Sequence, residues 1–206
     1  MSVHGLELNN NQFISAQIWI QNGPDEEMNI IEFGWMVYPA LFGDSRNLIF
    51  GYWTAYCHKQ TGFFNVLCSG FVQIHSDASL SAALEPVSVY GKDTWYTPFK
   101  VYQVYQVTFQ GIPGKCKTPF KVYQEIFTHL ANNASMVRFG GIAGVKPQMP
   151  APPMGNGYLP QFQDYLKTAH ITKMKYVNEE GQDVKLIWST NEAGCSSRLL
   201  QDFVRW

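Results

Sequence analysis

A chain of 206 residues that is 46% hydrophobic and only 15% charged is long enough to bury one sizeable core, and it is predicted to form a globular, β-rich protein. Its 15 basic and 16 acidic side chains leave a formal net charge of -1, so no broad field draws in nucleic acid or an anionic membrane surface. No stretch approaches 18 consecutive apolar residues, so no membrane-spanning helix is expected.

The first residues, MSVHGLELNNNQ, carry no basic segment followed by an apolar run and do not read as a secretory signal. From Gln12 to Ile74 hydrophobic and aromatic segments recur between turn residues, which predicts several antiparallel strands. Ile14, Ala16, Ile18 and Ile20 share one face of the first strand, and Ser15, Gln17 and Gln21 share the other. In the next strand Ile31, Phe33, Trp35 and Val37 share a face, which turns Glu32 to the opposite side next to Gly34. A carboxylate so placed is either an ordinary solvated residue or a group with room around it to do chemistry.

The turns Asn22-Gly23-Pro24-Asp25 and Phe42-Gly43-Asp44-Ser45 connect these strands. Further on, the heptapeptide TPFKVYQ occurs twice, from Thr97 to Gln103 and from Thr118 to Gln124. Val101, Gln103, Tyr105, Val107 and Phe109 alternate with Tyr102, Val104, Gln106 and Thr108 as in a strand. Tyr123, Ile126, Phe127, Leu130 and Ala134 recur at helical spacing, which predicts one short amphipathic helix over Val122 to Asn132, with Glu125 in its first turn. Asn133-Ala134-Ser135 is a glycosylation sequon, to be used only in the secretory pathway. Ser135 to Val145 reads as a strand, the proline- and glycine-rich KPQMPAPPMGNGYLP as a long loop, Ala169 to Val177 as a strand, and Asp183 to Trp188 as a final short one.

Cys57, Cys68, Cys116 and Cys195 form no CxxC pair and have no metal-like spacing, so neither a metal nor another cofactor is expected. His4, His58, His75, His129 and His170 are scattered, and none is assigned to catalysis. Without GxSxG there is no sequence anchor for a serine nucleophile.

The ordered segments SAQIWIQNGP, NIIEFGWMVYPALFGD, YWTA, TGFFNVLCSGFVQ and HLANNASMVRFGG resemble the C-terminal domain of the neprosin family of plant glutamic peptidases, over Gln12 to Tyr90 and Ile126 to about Leu186. The resemblance implies an all-β fold, an antiparallel, jelly-roll-like β-sandwich with one short helix, in which two glutamates cleave peptide bonds in acid, preferably after proline. Glu32 aligns with the first glutamate, in the family's IEAGW-like strand. Residues 1–186 would form this domain, 91–124 a divergent insert or replacement, and 187–206 a divergent tail. The family's tryptophan-rich WWLE-like segment is absent from 91–124, and with it the position expected to carry the second glutamate.

Two acids sharing a site divide the roles of proton donor and base, so a lone Glu32 implies impaired turnover. The alternative is an inactive sandwich that binds peptide or carbohydrate. In either case Trp35, Tyr52 and Trp53 are the expected substrate-binding residues, and a proline-containing peptide or protein is the expected partner. Relatives of this kind are secreted precursors, and here Met1 falls after the family's usual opening strand, which would leave a sheet edge unpaired. The family's cysteine five positions before Cys68 is Phe63 here, so either Cys57 pairs with Cys68 instead or these are buried free thiols.

Overall fold

The computed structural model describes every residue except 60–61, 68, 75–78, 102–105, 110–116, 160, 162–163, 179 and 186–206, with backbone alone for 106–109, 117–120 and 124. Eleven strands are defined among the described residues: β1 Gln12–Asn22, β2 Asn29–Val37, β3 Leu48–Thr54, β4 Phe63–Phe64, β5 Phe71–Gln73, β6 Phe99–Val101, β7 Gln106–Phe109, β8 Lys117–Val122, β9 Met136–Val145, β10 Lys175–Val177 and β11 Asp183–Lys185. Four residues, Pro39–Phe42, make the single short α-helix, α1, which ends at Gly43 in a left-handed conformation (φ 87°). The architecture is all-β and antiparallel, as expected.

The larger sheet has the order β4-β3-β2-β1-β9, the smaller β5-β8-β7-β6, and β10-β11 form a separate hairpin. Strict alternation in β1 and β2 decides which face of the larger sheet is buried against the smaller one. Ile14, Ile18 and Ile20 of β1 join Ile31, Phe33, Trp35 and Val37 of β2, Ile49 and Trp53 of β3 and Ala143 of β9 in one apolar cluster. Phe71, Val122, Phe127 and Leu130 belong to the same cluster, and Phe33 meets both Phe71 and Phe99 edge-on, with centroids 6.4 and 6.1 Å apart. The smaller sheet therefore packs on the core face, as the second layer of a sandwich.

Both copies of the repeated heptapeptide enter this second sheet, one on each side of β7. Phe99 pairs with Phe109 and Val101 with Val107, while Phe120 pairs with Val107 on the opposite edge. The alternating stretch 101–109 thus contributes to two antiparallel strands, β6 and β7, rather than to one.

Two further expectations are corrected. Val122–Asn132 is not a helix: Val122 closes β8, a single 3-10 turn spans Gln124–Ile126, and the chain then turns irregularly. The buried Asn29 side chain accepts the backbone N–H groups of His129 (2.7 Å) and Leu130 (3.1 Å), capturing donors that a helix would have used internally. Phe127 and Leu130 still reach the core, but Tyr123 and Ala134 are exposed. In place of a strand over 169–177, only Lys175–Val177 is extended and paired, with Asp183–Lys185. Within the larger sheet β1 is flanked by β2 and β9, and β9 and β4 are its outer strands.

The proline-rich segment is a loop laid against the domain. Pro152 and Asn156 are buried, Met154 packs on the core, and Gln12 donates to the Pro150 carbonyl at 3.0 Å.

Candidate active site

The face of the larger sheet that points away from the core carries the polar half of the alternation. Register sets one row across it: Arg138 of β9 opposite Trp19 of β1, Trp19 opposite Glu32 of β2, and Glu32 opposite Tyr52 of β3. The adjacent row places Gln17 between Gly140 and Gly34. With no side chain on either flank, Gln17 leans diagonally to Glu32 and donates from Nε2 to Oε2 at 2.5 Å. Gln17 in turn accepts from the Ser15 hydroxyl at 2.5 Å, so a buried chain of three polar side chains aims the carboxylate.

Gly34 is required for a reason other than making room for Glu32. A Cβ there would lie 2.0 Å from the Ala16 carbonyl oxygen and 2.7 Å from the Gln17 Cα, so β1 and β2 approach closely at this point. The close approach draws the two strands that carry Gln17 and Glu32 together.

Beyond the end of β3 the chain folds back. The Cys57 N–H bonds to the Met28 carbonyl (2.9 Å) and the His58 N–H to the Thr54 hydroxyl (3.1 Å), and both residues hold positive φ, 49° and 61°. This turn lays the His58 ring on the Tyr52 ring, centroids 5.1 Å apart and nearly parallel, with Nδ1 at 3.0 Å from the Tyr52 hydroxyl. The other ring nitrogen, Nε2, comes to 3.5 Å from Glu32 Oε1. Cys57 is disulfide-bonded, which replaces the free-thiol expectation for this residue; its partner lies outside the described residues, as do Cys68, Cys116 and Cys195.

Burial dominates the electrostatics. It pushes the Glu32 carboxyl up to about 7 against the opposing pull of the Gln17 hydrogen bond and the Arg138 charge. Burial also holds His58 below its ordinary value. Tyr52 is pushed up to about 12, by burial first and by the Glu32 charge second, and stays a neutral phenol. The Glu32 side chain nevertheless keeps 12% of its surface open to solvent. Among the described residues the groups acting on it are Gln17, Arg138 and His58, and none is a carboxylate. Glu125 is exposed in the turn after β8. Within 91–124, Phe99–Val101, Gln106–Phe109 and Lys117–Val122 build the sheet behind the core, on the side away from Glu32.

Of the predicted site residues, Glu32 and Tyr52 come together. Trp35 and Trp53 do not join them: both are buried in the core, 2% and 6% exposed, with the Trp35 indole N–H bonded to the Ser2 carbonyl at 3.1 Å. Parity alone accounts for this, since Trp35 lies an odd number of residues from Glu32 and Trp53 pairs with Ile31. The tryptophan that stands beside Glu32 on its own face, across from Tyr52, is Trp19. Among the described residues no group of three or more His, Cys, Asp and Glu side chains could hold a metal ion.

These features define an antiparallel β-sandwich carrying a buried, hydrogen-bonded carboxyl on the outer face of its larger sheet. The Neprosin family model matches residues 10–198, a span that includes β1 to β11 and the divergent middle segment, and the chain belongs to that family of peptidases.

Proposed function

We propose that this chain hydrolyses peptide bonds as a neprosin-type glutamic peptidase domain, with Glu32 as the carboxylate that activates water. The observation that carries this reading is the placement of Glu32: buried, aimed by Gln17, raised to about 7, and still reaching solvent. A proton acceptor in this range can take a proton from water near neutrality. Trp19 and Tyr52 on either side of Glu32 offer aromatic faces to an apolar ring, which supports a preference for cleavage after proline. The family resemblance favours work in acid, whereas burial of Glu32 keeps it protonated there and favours a range closer to neutrality. Turnover is impaired relative to a two-carboxylate site, since no second carboxylate acts on Glu32 among the described residues.

That last observation also favours a second reading, a sandwich that binds proline-containing peptides without cleaving them. Cleavage of a proline-containing peptide by folded protein, measured from about pH 3 to 8 beside Glu32→Gln, separates the two. Cleavage by the parent and not by the variant supports hydrolysis. Binding without cleavage by either supports the second reading.

A further inference from the structure

The peptidase reading leaves one chemical requirement unmet. Glu32 can take a proton from water, but the amine that departs when the C–N bond breaks needs a proton from another group. The partner on hand is an imidazole. His58 presents Nε2 to Glu32 Oε1 at 3.5 Å, while Nδ1 lies 3.0 Å from the Tyr52 hydroxyl and the two rings stack. With Nδ1–H donating to the Tyr52 oxygen, Nε2 is left to exchange a proton with Glu32.

We propose that His58 is the second acid/base group of this site, taking the role that a second carboxylate would otherwise fill. The proposal rests on the peptidase reading and deepens it. In the step it describes, Glu32 removes one proton from water as the water oxygen bonds to the peptide carbonyl carbon, whose π electrons move to oxygen. The intermediate collapses, the C–N bond breaks, and the nitrogen takes its proton from the His58 imidazolium. Glu32 then returns its proton to His58 Nε2, leaving one carboxylic acid, one amine and the starting carboxylate–imidazolium pair.

The surroundings fit this assignment. The groups facing the pair are Gln17 from β1, Arg138 from β9 and Tyr52 from β3, and the neighbouring Lys59 is engaged by Glu26. None of them offers an alternative proton donor at the distance of His58: Gln17 does not titrate, and Tyr52 stays protonated to about 12. With Glu32 raised and His58 lowered, the proton that the pair shares rests on Glu32, and its transfer to Nε2 across the 3.5 Å contact gives the working carboxylate–imidazolium form. The consecutive positive φ angles at Cys57 and His58 are a local cost that persists because the disulfide and the backbone hydrogen bonds hold the turn, and this turn is what delivers the ring to Glu32.

Two measurements test the assignment. The first needs no substrate: His58 is followed by proton–nitrogen NMR from about pH 4 to 9 in the parent and in Glu32→Gln. Two linked steps in the parent and one in the variant are expected; an unchanged titration overturns the proposal. The second is cleavage of a proline-containing peptide by His58→Gly, a change that also relieves the φ of 61°. A fall in kcat of about a hundredfold or more, loss of the alkaline limb of a bell-shaped profile, and restoration by added imidazole are expected. An unchanged rate and profile in folded His58→Gly overturns the role of His58 and leaves Glu32-dependent hydrolysis standing. No cleavage by the folded parent, with the linked titration intact, overturns the peptidase reading and this role with it.

Discussion

Gln17 donates to Glu32 across the boundary between β1 and β2, although the residue directly opposite Glu32 is Trp19. The diagonal contact exists because glycines occupy both positions opposite Gln17, so its amide is turned towards the next row. A donor fixed in this way suits the ionised carboxylate, yet burial outweighs it and keeps Glu32 protonated to about 7.

The stability of the fold should register that imbalance. Folded Glu32 holds its proton up to about 7 while the unfolded chain releases it near the ordinary value of 4.5, so unfolding releases a proton in between and stability falls as pH rises. His58, lowered by burial, contributes the opposite slope on the acid side of its ordinary 6.5. Across about pH 6.5 to 8 the parent should therefore fall by on the order of 1 kcal/mol relative to Glu32→Gln, the opposing slope of the Met1 amino group, lowered by burial to about 6, being common to both proteins. Urea unfolding of both proteins across that window checks it, and parallel curves would contradict the assigned burial.

The two tryptophans of neighbouring strands should behave in opposite ways. Trp35→Ala empties a site 2% exposed in the core and is expected to cost about 3 to 5 kcal/mol in urea unfolding. Trp19→Ala, on the half-buried outer face, should cost no more than half as much but raise KM for a proline-containing peptide. A larger KM effect from a folded Trp35 variant would reverse the placement of the substrate face.

Gly34→Ala should separate β1 from β2, since its Cβ would overlap the Ala16 carbonyl. Gly140→Ala, across β1 on the same row, meets only the edge of Trp19 at 3.4 Å. Circular dichroism and thermal unfolding should therefore find Gly140→Ala folded with little change and Gly34→Ala severely destabilised. Equal tolerance would show that the sheet relaxes at the close approach.

Reduction should act through Cys57. A disulfide of this kind typically contributes about 2 to 4 kcal/mol, so a reductant is expected to lower the urea midpoint of the parent and leave that of Cys57→Ser unaffected. The same midpoint for parent and variant without reductant would contradict a stabilising bond.

Much of the larger sheet was legible because its strands obey a period of two. The alternation of Ile14 to Ile20 and of Ile31 to Val37 identified the core face, and with it the side on which Glu32 stands. Applied consistently, the same parity places Trp35 in the core and Trp19 beside Glu32, so this part of the site was available to anyone counting residues. His58 was not. It lies outside any strand, in a turn set by Thr54, Met28 and a disulfide, and no periodicity connects it to Glu32. The helical spacing after Val122 was real as burial, since Phe127 and Leu130 reach the core, but Asn29, about a hundred residues earlier in the chain, took the backbone donors that a helix needs. A local pattern has no means of anticipating a competitor so distant.

The repeated heptapeptide has one more consequence. Counted from corresponding residues, its copies pair with β7 two positions apart: Phe99 meets Phe109, and Phe120 meets Val107. An offset of two is even, so Phe99 and Phe120 stand on the same side of the sheet, and the register shifts only beyond Val107, towards the Phe109–Lys117 pair. A sheet can thus accept a copied segment as a new neighbour without re-sorting inside from outside. Duplication followed by an even slip is a route by which such a protein can widen a layer while keeping the instructions for its interior unchanged.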